Sequence, residues 1–160
     1  MSLRPLMLDA LERGVDIVRG GHEIIPAWHV VCGAETYLLL TRFDPASPSQ
    51  RDRMVYLAGR YMHWKMATGF VMCAEIVLGR GVEEVASVAV SSTERMGVIR
   101  RIKREATLHL GPREWLGEHS LDAIYFALLP KGQETISAEE VAELSVIFGE
   151  NGEVPVKRLH

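Results

Sequence analysis

A carboxylate set inside an apolar run is the residue in this sequence whose type and position come nearest to chemistry. Glu75 interrupts Phe70 to Leu78, an otherwise almost continuous stretch of apolar residues. Inside an apolar strand its carboxyl would be desolvated and its pKa raised unless a partner compensates, and such groups recur at catalytic centres. A buried ion pair or a strand end reaching water explains the same residue without catalysis. The expectation is therefore a buried Glu75 paired with a cation or a hydroxyl, whose replacement by Gln costs stability rather than activity.

The second anomaly is charge. Arg95, Arg100, Arg101, Lys103 and Arg104 put five cations within ten residues, and a strand displaying them would offer a stripe attractive to phosphate. Alternation over 98–110 sets Val98, Ile102 and Leu108 on one side of a strand and Arg101, Lys103 and His109 on the other. These last three are the candidate anion-binding residues. Glu94 and Glu105 flank the stretch, so solvated or ion-paired cations compete with a ligand site as its explanation.

Other signatures are missing. His22-Glu23 begins like a zincin helix, but Pro26 stands where the second histidine belongs and excludes the helix. His22, His29, His63, His109 and His119 have no mutual ligand spacing, and Cys32 and Cys73 form no CxxC pair, so no metal and no cofactor are expected. Gly79-Arg80-Gly81 lacks the further glycine or lysine of a phosphate loop. No nucleophile elbow or Cys/His activation pattern occurs. Along one helix, Tyr56, Arg60, Tyr61, His63 and Trp64 form an aromatic and basic cluster that would serve either the core or a partner interface.

The elements that must position these residues follow from periodicity. Residues 5–19 carry Met7, Leu11, Gly14 and Val18 on one helical stripe that ends at Gly20-Gly21. Strands are expected over 23–32 and 37–43 around a Gly33 turn, with Pro26 disturbing the first. A helix over 49–66 opens on Ser49 and Asp52. Strands follow at 70–78, 85–90, 98–110 and 121–129, with 111–120 as a loop carrying Trp115. Ser137 to Glu140 is a capping box for a last helix, and residues 150–160 read as a loose tail.

Successive strands without intervening helices favour hairpins, so the fold class is α+β: a single antiparallel or mixed sheet of about six strands with three helices packed on it. The 160 residues fit one domain, over 1–149. With 48% hydrophobic and 24% charged residues the composition is globular, and a net charge of -3 selects no partner. Glu75 and Asp122 break the most apolar segments, and Asp9 falls too early for a signal peptide, so a soluble cytoplasmic protein without membrane contact is expected.

Two stretches, Gly69-Phe70-Val71-Met72-Cys73-Ala74-Glu75 and Ser91-Ser92-Thr93-Glu94-Arg95, resemble a scattered set of small uncharacterised bacterial and mobile-element proteins. In that set the first strand ends in Glu-Ala-Trp where this chain has Ala-Glu-Ile. The resemblance implies no activity and no catalytic residue. The leading expectation is a non-enzymatic binding or accessory module, with a second copy of itself or another macromolecule as partner. The alternatives are a small hydrolase or acid-base enzyme built on Glu75 and a histidine such as His63, and a nucleic-acid-binding domain using residues 95–104.

Overall fold

A computed structural model describes residues 2–44, 46–79, 81–117, 128–130, 135–152 and 154–155. The class is α+β, and every described strand pairing is antiparallel. The chain divides into two compact units, Met1–Pro26 with Val71–Leu121, and Ala27–Phe70 with Asp122–His160.

The first unit lays one helix on a run of hairpins. Helix α1 (Arg4–Arg19) starts with a proline in its first turn and buries Met7, Leu11, Gly14, Val15 and Val18. Gly21, at a φ of +81°, closes it: the Gly21 and His22 N–H groups donate back to Val18 O and Ile17 O, a turn that needs the left-handed region glycine enters freely. The strands are β3 (Gly69–Gly79), in this unit from Val71 onward, then β4 (Val82–Ser91), β5 (Arg95–Arg104), β6 (Leu108–Leu110) and β7 (Glu114–Leu116). Their order is β6-β5-β4-β3, with β7 also on β5.

Side chains of the strands reach the backbone of α1. Ser87 Oγ donates to Met7 O at 2.8 Å and Cys73 Sγ to Ala10 O at 3.5 Å. This closeness depends on Gly14, where a Cβ would stand 2.9 Å from both Cys73 Sγ and Val85 Cγ1. The helical stripe read from the sequence included Gly14, and the reason is steric.

The expected strand over 98–110 is in fact two. Residues 105–107 turn the chain back, the Glu105 N–H donating to Thr107 O, and β6 pairs with β5 as Ile102 to Leu110, Lys103 to His109 and Arg104 to Leu108. The expected loop at 111–120 contains β7, which pairs with β5 through Gly97, Val98 and Ile99. Leu108, expected on the buried side, is exposed, because it lies on the outer strand of the hairpin.

The second unit holds β1 (Ala27–Cys32), β2 (Glu35–Leu40), helix α2 (Pro48–Trp64), helix α3 (Ala138–Gly152) and β8 (Val154–Pro155), with β1-β2-β8 adjacent. Strand β1 begins only after Pro26, in keeping with the donor that proline lacks. The cap of α2 is Ser47, whose Oγ accepts the Gln50 N–H, and not Ser49, because Pro48 takes the first helical turn. Ser137 caps α3 as expected, accepting the Glu140 N–H at 3.2 Å. Leu144 and Phe148 of α3 are buried, and Tyr61 of α2 meets Phe148 edge-on at 5.7 Å. Trp28 stacks at a tilt on Phe70 and donates its indole N–H to Thr41. Of the expected strand over 121–129, residues 121–127 lie outside the described residues; so do 153 and 156–160 of the expected tail, whose residues 150–152 belong to α3 and 154–155 to β8.

The end of α2 is a backbone lock. Met66 N–H donates to His63 O and Ala67 N–H to Met62 O, the paired bonds of a helix closed by a left-handed residue. That residue is Met66, at a φ of +53° and largely exposed.

Two stability predictions follow from these backbone facts. Gly14→Ala should destabilise the protein by about 1–3 kcal/mol, since neither Val85 nor Cys73 can withdraw from a packed layer without disturbing it. Met66→Gly should stabilise it by about 1 kcal/mol, since glycine relieves the left-handed cost and no buried contact is lost. Urea denaturation of the native protein and both variants checks the two opposite signs.

Candidate functional site

The hairpin β5–β6 brings Arg101, Lys103 and His109 together. Cross-strand partners share a face of the sheet, and Lys103 is paired with His109, so the two project side by side, with Arg101 next along the strand. All three are exposed. With Leu110, Gly111, Pro112 and Glu114 they line a cleft of about 270 Å³. The expected grouping therefore exists, although its members lie on two strands and not one.

Backbone geometry shapes the cleft. The Gly111 N–H donates to Arg101 O at 2.8 Å, and a Cβ on Gly111 would stand 3.3 Å from that oxygen. This close approach lets 111–113 run along β5 before β7 pairs further down the strand, setting Glu114 opposite Ile99 on the same face as Arg101. Glu114 and Gly111 were not singled out from the sequence. The Gly111-Pro112 dipeptide, a turn signal directly after a short strand, is the feature that could have pointed to them.

The three side chains are not equally committed. Arg101 Nε donates to Glu84 at 2.9 Å, and that hydrogen bond, helped by the charge of Glu114, pushes the guanidinium pKa upward. His109 Nε2 lies 3.2 Å from Thr107 Oγ1 and 3.7 Å from Glu105. Lys103 makes no ion pair or side-chain hydrogen bond among the described residues. Among the described residues it is the cation of the cleft that makes no ion pair.

The rest of the basic stretch faces away. Arg100 and Arg104 have the opposite parity and lie on the α1 side: Arg100 Nη1 donates to Glu12 of α1 at 2.9 Å, Arg104 Nε donates to Glu83, and the Arg104 guanidinium also donates to Val18 O at the end of α1. These two cations fasten the helix, and a continuous five-residue stripe does not form.

Glu75 stands in a second cluster on that side. It is half-buried, and its Oε2 accepts the Ile24 N–H at 3.1 Å. Among the described residues the charged groups that act on it are the carboxylates Glu83 and Glu23, where a cation or hydroxyl was expected. Loss of water raises its pKa, the Ile24 hydrogen bond lowers it, and Glu83 and Glu23 raise it again, for a net upward shift. One oxygen of Glu83 is buried with no hydrogen-bond partner while the other takes Arg104. Sequence reasoning found Glu75 but not Glu83, which follows the next turn.

The histidine of the enzyme alternative, His63, has Nδ1 at 2.7 Å from Gly59 O, a bond within its own helix. His29 is buried, and His119 lies outside the described residues. Among the described residues no three His, Cys, Asp or Glu side chains converge as a metal site, and no helix is long and apolar enough to cross a membrane.

The raised pKa of Glu75 fixes the sign of a pH effect. The folded protein keeps a proton that the unfolded chain, at the ordinary carboxyl value of 4.5, has already released. Stability therefore falls as pH climbs from that value through the folded pKa and is level beyond it. Glu75→Gln keeps an acceptor for Ile24 and removes the charge, so it should match or exceed native stability at neutral pH and lose that advantage as pH falls to about 4. This reverses the stability cost expected from the sequence, because the neighbours are acids. Urea midpoints of both proteins across pH provide the check, and a variant less stable than native at neutral pH would refute it. No family model, curated protein or solved structure matches this chain.

Proposed function

We propose that this protein is a non-enzymatic binding module that takes a small anionic ligand, of the phosphate-ester class, in the β5–β6 cleft. The observation that carries the reading is the convergence of Arg101, Lys103 and His109 on one cleft, where Lys103 makes no ion pair among the described residues. An arginine and a lysine side by side supply a directional fork and a compact charge, the pair of donors suited to a phosphate group. A cleft of about 270 Å³ is at the small end of ligand pockets, which favours a small ester over a polymer. Glu114 in the lining adds an acceptor, so a ligand with a hydroxyl beside its phosphate fits best. Glu84, Glu105 and Glu114 around the cations, and the diversion of Arg100 and Arg104 to α1, speak against a polyanion lying along the stripe.

Titration calorimetry with glycerol phosphate and with inorganic phosphate tests this. Binding in the millimolar range or tighter is expected, stronger for the ester. Lys103→Ala should weaken it about tenfold, the loss of one charge-assisted hydrogen bond. Equal affinity in the native and Lys103→Ala proteins would sink the proposal. If duplex DNA bound instead, with affinity falling by about 0.9 log units per tenfold salt for each phosphate contact, the solvent-facing cations of this hairpin would serve a polyanion and the small-ligand proposal would fail.

A further inference from the structure

Three aromatic rings of the second unit surround one ammonium group. Lys65 Nζ lies 4.1 Å from the centre of the Trp64 ring, 5.4 Å from Tyr37 and 5.8 Å from Tyr61. All three are within the distance at which the negative face of a ring attracts a cation. Tyr61 and Trp64 meet at 85°, with centroids 5.7 Å apart, so their planes form a corner, and Tyr37 of β2 supplies a further wall. The Tyr37 hydroxyl donates to the Glu35 carboxylate, which adds negative charge beside that wall.

The corner is held by the fold and not by the lysine. Tyr61 is fully buried, wedged edge-on between Trp64 and Phe148. Lys65 is the capping residue of α2, its N–H bonded to Tyr61 O, and Met66, Ala67 and Thr68 are each fixed by backbone bonds to His63, Met62 and Val31. The backbone on both sides is thus pinned, while the lysine stem keeps its rotatable bonds. Removing the ammonium would leave the rings in place.

We infer that Tyr37, Tyr61 and Trp64 form a binding site for methylated or quaternary ammonium groups, which Lys65 fills in the free protein as a tethered occupant. A primary ammonium is strongly hydrated and gives up water reluctantly. A quaternary ammonium carries the same charge on an apolar surface and suits an aromatic corner better. An incoming ligand has to displace the Lys65 head group, so its apparent affinity is lowered by the fraction of molecules in which the corner is open. The site is separate from the anion cleft and does not depend on it.

Tetramethylammonium is the probe, and its methyl proton resonance is the readout, since ring currents in the corner shift it upfield. In Lys65→Ala the shift should saturate at millimolar concentration. In the native protein saturation should need about tenfold more ligand, the cost of displacing a tethered competitor. Potassium chloride at equal ionic strength should leave the resonance unmoved. Lys65→Ala combined with Trp64→Leu should abolish the shift. Lys65→Ala with Tyr37→Leu, a change at a half-exposed strand position, should weaken it several-fold, and circular dichroism confirms that each variant is folded. Failure of Lys65→Ala to give a saturable upfield shift, or equal affinity in the native and Lys65→Ala proteins, would overturn the inference.

Discussion

The first unit depends on how closely α1 can approach the strands beneath it. A helix separated by ordinary side chains would leave the Met7 and Ala10 carbonyls out of reach of Ser87 and Cys73. Gly14 removes the obstacle at the point of contact, where Cys73 and Val85 occupy the space of a side chain. The helix then covers one face of β4 and β5. On the opposite parity Arg101 and Lys103, at the end of β5, face water.

That division explains how so dense a cationic stretch can be divided between two tasks. Arg100 bonds Glu12 in the middle of α1, and Arg104 bonds Glu83 and the Val18 carbonyl near the end of the same helix. A cation at a helix C-terminus also meets the negative end of its dipole. Arg104 further offsets an acidic corner containing Glu75, Glu83 and Glu23, where an uncompensated carboxylate would be costly. The alternation of a strand thus separates cations that secure the helix from cations that face solvent.

Much of this architecture was legible because periodicity reports the environment of each side chain. The stripe of α1, its glycine end and the Ser137 cap are local features, and the sequence contains all of their determinants. The turn at Glu105–Thr107 was not legible: it has no glycine or proline, and the residues on both sides continue the alternation. Arg101, Lys103 and His109 nonetheless share a face, because Lys103 pairs with His109 and each odd position meets an odd one. Glu75 shows the opposite limit. Its apolar neighbours in sequence implied burial and a cation, whereas its character comes from Glu83, across a turn, and from Ile24, before the next strand. No local pattern encodes which residues a strand will lie beside.

The packing at Gly14 has a consequence for the chemistry of sulfur. Cys73 is sealed beneath α1, and burial pushes its thiol pKa up to about 12, so the nucleophilic thiolate is virtually absent at neutral pH. Cys32, at the end of β1, is partly open to solvent. The folded protein therefore behaves toward electrophiles and mild oxidants as though it had a single cysteine. Cys32 is a natural attachment point for a spectroscopic probe, and reaction of the second thiol becomes a direct clock for the lifting of α1 from its strands.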